Sequence, residues 1–438
     1  MKINRILFAA FMISAGAAFA ETKVLQGFTL IDGNGRRPVS PAAMIVNDGR
    51  IQWVGPQSQL KLPAGAESID LSGKFVMPGI INLHGHVGNT LDLDQGAKFA
   101  TRENVEKQLA MYASYGVTSV ASMGTDQAAV IQVRAEQRAG RPHATRVFSA
   151  GRGFTGPDGY PTHTPGMEGV PFEVSSPEQV ALIVSGLSAA NVDLVKMWVD
   201  DHLGRYKKIQ LDVAKAIIAE AHKRQLKVAA HIFYLDDAKA LVDAGLDNLA
   251  HSVRDLPVDR ALIAAMKKNG TYQTATLSRE ISLYYFAQPR PALADPFFIR
   301  SVSANVLDTL KSPEFQKKTA ADPDHDKYPQ FLAMAKRNLK TLFDAGVKIG
   351  FGTDSGPPGR FQGYFEHWEM ELMVESGLTP MQVITAATKT SAAFLGAKDL
   401  GTLEAGKWAD LIVLSKNPVD EIKNSRSIEM VLIAGNRI

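Results

Sequence analysis

The sequence predicts a (β/α)8 barrel joined to a small β-sandwich built from both ends of the chain. Three observations carry this. Strand-like and helix-like segments alternate through the central three-quarters of the chain, which is the signature of βα units. Short β-rich runs with hairpin turns lie at both termini. No glycine-rich dinucleotide fingerprint follows the first central strand, which argues against a doubly wound open sheet.

Size and composition agree. A chain of 438 residues holds one barrel and an accessory domain. With 45% hydrophobic and 21% charged residues it is neither disordered nor a polytopic membrane protein. A net charge of +3 is too small for a nucleic-acid footprint. The absence of cysteine excludes disulfides, thiolate metal sites and a cysteine nucleophile. Any metal must sit on His, Asp, Glu or a modified Lys.

In chain order, residues 1–20 read as a signal peptide. Lys2 and Arg5 precede an apolar stretch from Ile6 to Ala18, and Ala18-Phe19-Ala20 has the small-x-small form of a cleavage site. The mature chain is expected to begin at Glu21 and to be periplasmic or secreted, with no membrane attachment after cleavage. Residues 21–76 form the N-terminal part of the sandwich, with strands near 24–31, 43–46 and 51–54 and a hairpin at Asn47-Asp48-Gly49. Residues 77–398 form the barrel. Its strands are expected at 79–86, 117–123, 146–151, 192–198, 227–232, 248–251, 271–276 and 348–353. Helices are expected at 102–115, 126–139, 177–189, 211–225, 236–244, 257–268, 328–345 and 379–395. Residues 399–438 return to the sandwich with strands near 410–414 and 430–433. Two stretches exceed plain βα loops. One, 155–172, has four Gly and four Pro with Tyr160 and His163. The other, 277–327, carries Tyr284, Tyr285, Phe286 and a helix near 296–311. Both are expected to wall the pocket.

Chemistry-bearing residues recur at the strand ends that form a barrel's catalytic face. His84-Gly85-His86 closes the first strand, and a period of two puts both imidazoles on one face. Lys196 stands inside the apolar run Val192–Trp198, where an ammonium must be paired or neutralised. Asp193 is the candidate partner if it is a simple ion pair. His231, His251 and Asp354 end the fifth, sixth and eighth strands. Four histidines, a lysine and an aspartate on one rim suggest a metal centre.

Two motifs carry a family resemblance. Val76-Met77-Pro78-Gly79-Ile80-Ile81-Asn82-Leu83-His84-Gly85-His86 resembles the first strand of the metal-dependent amidohydrolase superfamily. Gly401-Thr402-Leu403-Glu404-Ala405-Gly406-Lys407-Trp408-Ala409-Asp410-Leu411-Ile412-Val413-Leu414 resembles its return to the sandwich. The chain is most similar to the imidazolonepropionase-like group, which includes prolidase-type dipeptidases. The resemblance implies two divalent ions, expected to be Zn2+. His84, His86 and Asp354 would hold the first ion, His231 and His251 the second, and Lys196 would bridge them as a CO2-derived carbamate. A carbamate replaces a buried cation with an anion, which suits two adjacent divalent ions.

The expected reaction is hydrolysis of an amide in a small molecule, a dipeptide or N-acyl amino acid, with Asp354 as general base and then acid. Lactonase, cyclic amidase or deaminase activity on the same site is the alternative. A non-catalytic metal-binding barrel is the alternative of another class, disfavoured by the intact ligand set. Tyr234, Arg254, His163 and Tyr160 are the candidate substrate contacts, with Arg254 suited to a carboxylate. A homo-oligomer is left open.

Overall fold

The computed structural model describes residues 22–438. The expected signal peptide and its cleavage point lie outside the described residues. No helix among the described residues is long and apolar enough to cross a membrane.

Both chain ends enter one eight-stranded sheet. Thr22–Leu30 pairs antiparallel with Val39–Asn47, which pairs in turn with Arg50–Pro56. Phe75–Pro78 joins the halves, parallel to the first strand and antiparallel to Leu411–Leu414. Leu25, Phe28, Met44 and Val76 share a core with Leu411 and Val413, so neither terminal segment buries its apolar face alone. This domain runs through Pro78, two residues past the boundary expected at 76, because Phe75–Pro78 is one of its strands.

The eight barrel strands are Ile80–Gly85, Val117–Ser122, Arg146–Ser149, Leu194–Trp198, Lys227–His231, Asn248–Ala250, Tyr272–Thr274 and Lys348–Gly350. The first three pair in parallel, as do the last five. Backbone hydrogen bonds outside the regular ladders close the ring. The Asp193 N–H donates to Ser149 O at 2.8 Å, and the Leu83 N–H to Phe351 O at 2.7 Å. Inside the barrel the space is filled by Ile81, Leu83, Met123 and Leu194 among the small residues Ala121, Ala229 and Ala250. The interior is thus a packed core, and ligands are confined to its rim.

Each strand matches its expected position, with ends one to three residues shorter. The helix expected at 379–395 is three consecutive segments, Pro380–Thr385, a π-turn Ala386–Thr390 and Ser391–Leu395. The main addition is a helix over Tyr364–Glu375. Its residues from Tyr364 to Met370 are all buried, apolar and charged alike, so no amphipathic period marks it in the sequence.

Both insertions cover the C-terminal rim. Segment 155–172 lays Tyr160, Pro161, Thr164 and Met167 over the barrel mouth. Segment 277–327 opens with helix Leu277–Tyr285 and buries Leu293, Phe298, Val306 and Leu310 against the barrel helices.

Candidate metal centre

The first strand delivers His84 and His86 to one side of the mouth. Gly85 between them is required by space, since a Cβ there would come within 2.7 Å of the Tyr112 hydroxyl oxygen. His251 and Asp354 have left-handed backbones, with φ of 72° and 59°. This conformation is uncommon outside glycine and marks functional positions. It turns both residues out of the strand path at the rim.

The rings and the carboxylate converge. Asp354 Oδ1 lies 2.9 Å from His86 Nε2 and 3.6 Å from His84 Nε2. One donor atom from each of these three residues falls within 4.8 Å of the others, so the trio could hold a metal ion. The His251 ring packs tilted against His84 and edge-on against His231, with centroids 4.6 Å and 4.2 Å away. Lys196 Nζ is 3.3 Å from His84 Nε2, within a fully buried side chain. Thus all six predicted residues meet in one pocket wall or directly beneath it.

The set fits divalent metal ions on its own chemistry. Buried His84 Nδ1 and His251 Nε2 have no hydrogen-bond partner, and a buried orphan nitrogen is costly unless something ligates it. Burial holds His84 and His251 well below the ordinary imidazole range, lowers His86, and brings His231 down to about 3. Neutral imidazole is the ligating form. Burial also pushes the Lys196 ammonium down to about 7. Its expected ion-pair partner is taken, because Asp193 binds Arg134 and Arg138 instead. Desolvation alone would raise the Asp354 carboxyl. The Arg360 guanidinium and the His86 hydrogen bond outweigh it and hold the carboxyl well below its usual range.

Several residues around this centre escaped the sequence reading. Asp200 Oδ2 lies 2.8 Å from His231 Nε2. Lys196, Trp198 and Asp200 share a face at period two, so the signal was present. Thr125 and Thr276 hydroxyls lie 3.1 Å from His86 Nδ1 and 2.6 Å from His251 Nδ1. Such outer contacts fix ring orientation in metal sites. Arg279 stands 3.8 Å from Asp354 Oδ2 and 2.9 Å from Glu280, and Arg360 binds Asp354 directly.

The substrate candidates separate. Tyr160 lines the pocket, its ring 5.3 Å from His231. His163 is exposed, stacked on Tyr206 and turned away from the pocket. Tyr234 donates to Asp201 at 2.8 Å and does not line the metal pocket. Arg254 is 1% exposed. One of its nitrogens donates to Ile232 O and Ser252 O, and Nε lies 3.3 Å from Glu280. Its Nε and Nη2 form no hydrogen bond, and the side chain borders a narrow cavity shared with Asp200 and Arg279.

A (β/α)8 barrel with a buried His/Lys/Asp cluster at its C-terminal rim defines a metal-dependent hydrolase. The chain belongs to the amidohydrolase family, whose model matches residues 75–438. It is a hydrolase acting on carbon–nitrogen bonds, and members of its family bind divalent metal ions. Imidazolonepropionase of Salinispora arenicola is 25% identical over 391 residues, 85% of either chain. Among solved structures, a Xaa-Pro dipeptidase with bound methionine in its active site superposes with a TM-score of 0.77 at 22% identity, covering 95% of this chain and 99% of that one. Phenylurea hydrolase B gives 0.72 at 23% identity, covering 95% and 96%. These two likenesses concern the fold.

The helix Tyr364–Glu375 braces the centre. Glu366 accepts from Asn82 at 2.7 Å, Thr353 at 2.8 Å and Ser355 at 2.6 Å, and from the Gly363 N–H at 2.6 Å. Asn82 in turn accepts the His84 N–H, and Thr353 and Ser355 flank Asp354. Glu366→Gln would set an amide NH2 against one of these donors. It is expected to weaken metal retention about 10- to 100-fold, as loss of outer contacts does elsewhere. Metal content after graded chelator challenge measures this, and unchanged retention would remove the bracing role.

Proposed function

We propose that this hydrolase cleaves an amide bond in a small molecule bearing a carboxylate, of the N-acyl amino acid or dipeptide kind. The observation that carries the reading is the set of three arginines at and beside the metal pocket. Arg360 lines it, Arg279 lies 3.8 Å from Asp354, and Arg254 and Arg279 border the narrow cavity beside Asp200, where Arg254 Nη2 has no partner. A buried guanidinium with free donors suits a substrate carboxylate.

His84, His86 and Asp354 would hold one ion and His231 and His251 the other, with the Lys196 carbamate between them. Zn2+ suits this sulfur-free N/O set. Bound there, the pair would lower the pKa of water from ~15.7 toward about 7 and polarise the amide carbonyl. Asp354, ionised at neutral pH, takes the proton of the attacking water on a carboxylate oxygen. It later passes that proton to the leaving nitrogen. Asp200, Thr125 and Thr276 keep His231, His86 and His251 in register. Tyr160, Pro161 and Met167 shield the pocket from bulk water.

The test is a comparison of matched acidic and neutral amides. Arg254→Met is expected to raise KM for carboxylate-bearing amides about 10- to 100-fold, the value of a charge-assisted hydrogen bond. Neutral amides should change far less. Equal effects on both classes, in a variant with an unchanged melting transition, would eliminate the carboxylate contact.

A further inference from the structure

The metal pocket has a free volume of about 70 Å3. It is the smaller of two adjoining spaces on this face of the barrel. Pro357 and Arg360, which line it, also line a second cleft of about 270 Å3 on the same face of the barrel. This cleft runs between the loops after the first and eighth strands, and segment 277–327 forms its far wall.

Most polar groups of that cleft are already engaged. Asn104 Nδ2 donates to the carbonyl oxygens of Gly88, Thr90 and Phe99. Gln108 donates to Thr90 O and accepts the Gly88 N–H, and Gln362 donates to His86 O and Gln108. Ser303 donates to Asp92 at the rim, where Lys107 supplies one cation. Lys107 at the rim apart, what is left to meet a ligand is mainly apolar: Leu91, Met111, Val302, Val306, Pro357 and Phe361. The metal pocket has a matching bias. Asp354 is its only acidic lining residue, and it is engaged by His86 and Arg360. The α-ammonium of an unblocked dipeptide, one carbon from the scissile carbonyl, would find no free carboxylate there. A neutral acyl chain would find a greasy channel leading outward.

We propose that this cleft is an acyl-chain site, and that the substrates are N-acyl amino acids with a medium-length hydrocarbon acyl group. The inference rests on the amide-hydrolase reading above and adds to it the identity of the acyl half. The amino-acid carboxylate points toward Arg254 and Arg279, the amide sits among His84, His231 and Asp354, and the chain passes Arg360 into the cleft.

The experiment uses the metal-loaded protein and the series N-acetyl-, N-butanoyl- and N-octanoylglycine, with glycylglycine as the unblocked comparison. A fully buried methylene is worth up to about fourfold, so kcat/KM is expected to rise about 10- to 100-fold along the series. Met111→Glu and Leu91→Asp, both at partly exposed positions, each place a charge in the cleft and should collapse the octanoyl-to-acetyl ratio toward one. A flat series with measurable turnover, or faster cleavage of glycylglycine than of N-octanoylglycine, overturns the proposal and leaves the amide-hydrolase reading intact. Titration calorimetry on Asp354→Asn supplies a readout without turnover. There N-octanoylglycine should bind at least tenfold more tightly than N-acetylglycine, and Met111→Glu should erase the difference. If that preference holds while no amide is cleaved by the native protein, the cleft stands and the hydrolase reading falls. If the preference is absent, the proposal falls.

Discussion

Asp354→Asn is expected to retain at least one metal equivalent and to lose nearly all turnover. Asparagine keeps a carbonyl oxygen where the carboxylate oxygen stands beside His84 and His86, so a ligand atom remains. It cannot accept a proton from water. A general base contributes roughly 10²–10⁴-fold, and disturbed coordination adds to the loss. The surroundings sharpen this expectation. Arg360 and Arg279 face the other carboxylate oxygen, so the native group is anionic at the moment a proton must be taken. Single-turnover kinetics with metal analysis on the same preparation gives the result. A variant keeping more than about a tenth of wild-type kcat would make Asp354 a ligand only. The base would then have to be sought elsewhere on the rim.

The parts of this centre that were legible in the sequence share one property. His84, His86, Lys196, His231, His251 and Asp354 each end or interrupt an apolar strand, so local pattern alone places them on the barrel rim. Asp200 continues the period of Lys196 and Trp198, whereas Arg279 and Arg360 lie beyond strand ends, in segments where strand periodicity has stopped. Their positions depend on how loops fold back. Glu366 is the extreme case. It reaches the centre from a helix buried on every side, through Asn82, Thr353 and Ser355, whose identities carry no signal of their own. His163 and Tyr160 show the opposite limit. Three residues apart on one Gly/Pro-rich loop, they were equally plausible, yet the fold turns Tyr160 into the pocket and His163 into solvent. Arg254 was found by its spacing from His251. Its complete burial against Glu280 could not be read from that spacing, because Glu280 comes from another βα unit.

Lys196→Ala is expected to bind at most one metal ion tightly and to lose activity, and short carboxylic acids should restore part of it. Lys196 lies in a fully buried strand, 3.3 Å from His84 Nε2, and its sequence neighbour Asp193 is committed to two arginines. An unmodified ammonium there would be a buried cation among neutral imidazoles, an arrangement that burial strongly disfavours. As the neutral amine, Nζ can add to CO2, forming one N–C bond and releasing one proton. The product would be a carboxylate-like anion beside His84, placed to serve both histidine groups. Activity recovered from chelated protein should therefore require bicarbonate as well as a divalent metal. In Lys196→Ala the space left by the side chain is open to acetate or propionate, which can present the same two oxygens without a covalent tether. Rescue should grow with acid concentration and should not occur with a short amine, which restores the charge of lysine rather than that of its carbamate. Metal analysis and turnover distinguish the outcomes. Two equivalents bound to Lys196→Ala with full activity would refute the bridge. A mononuclear site on His84, His86, His231 and Asp354 would then be the better description, with Lys196 an unmodified amine in contact with His84.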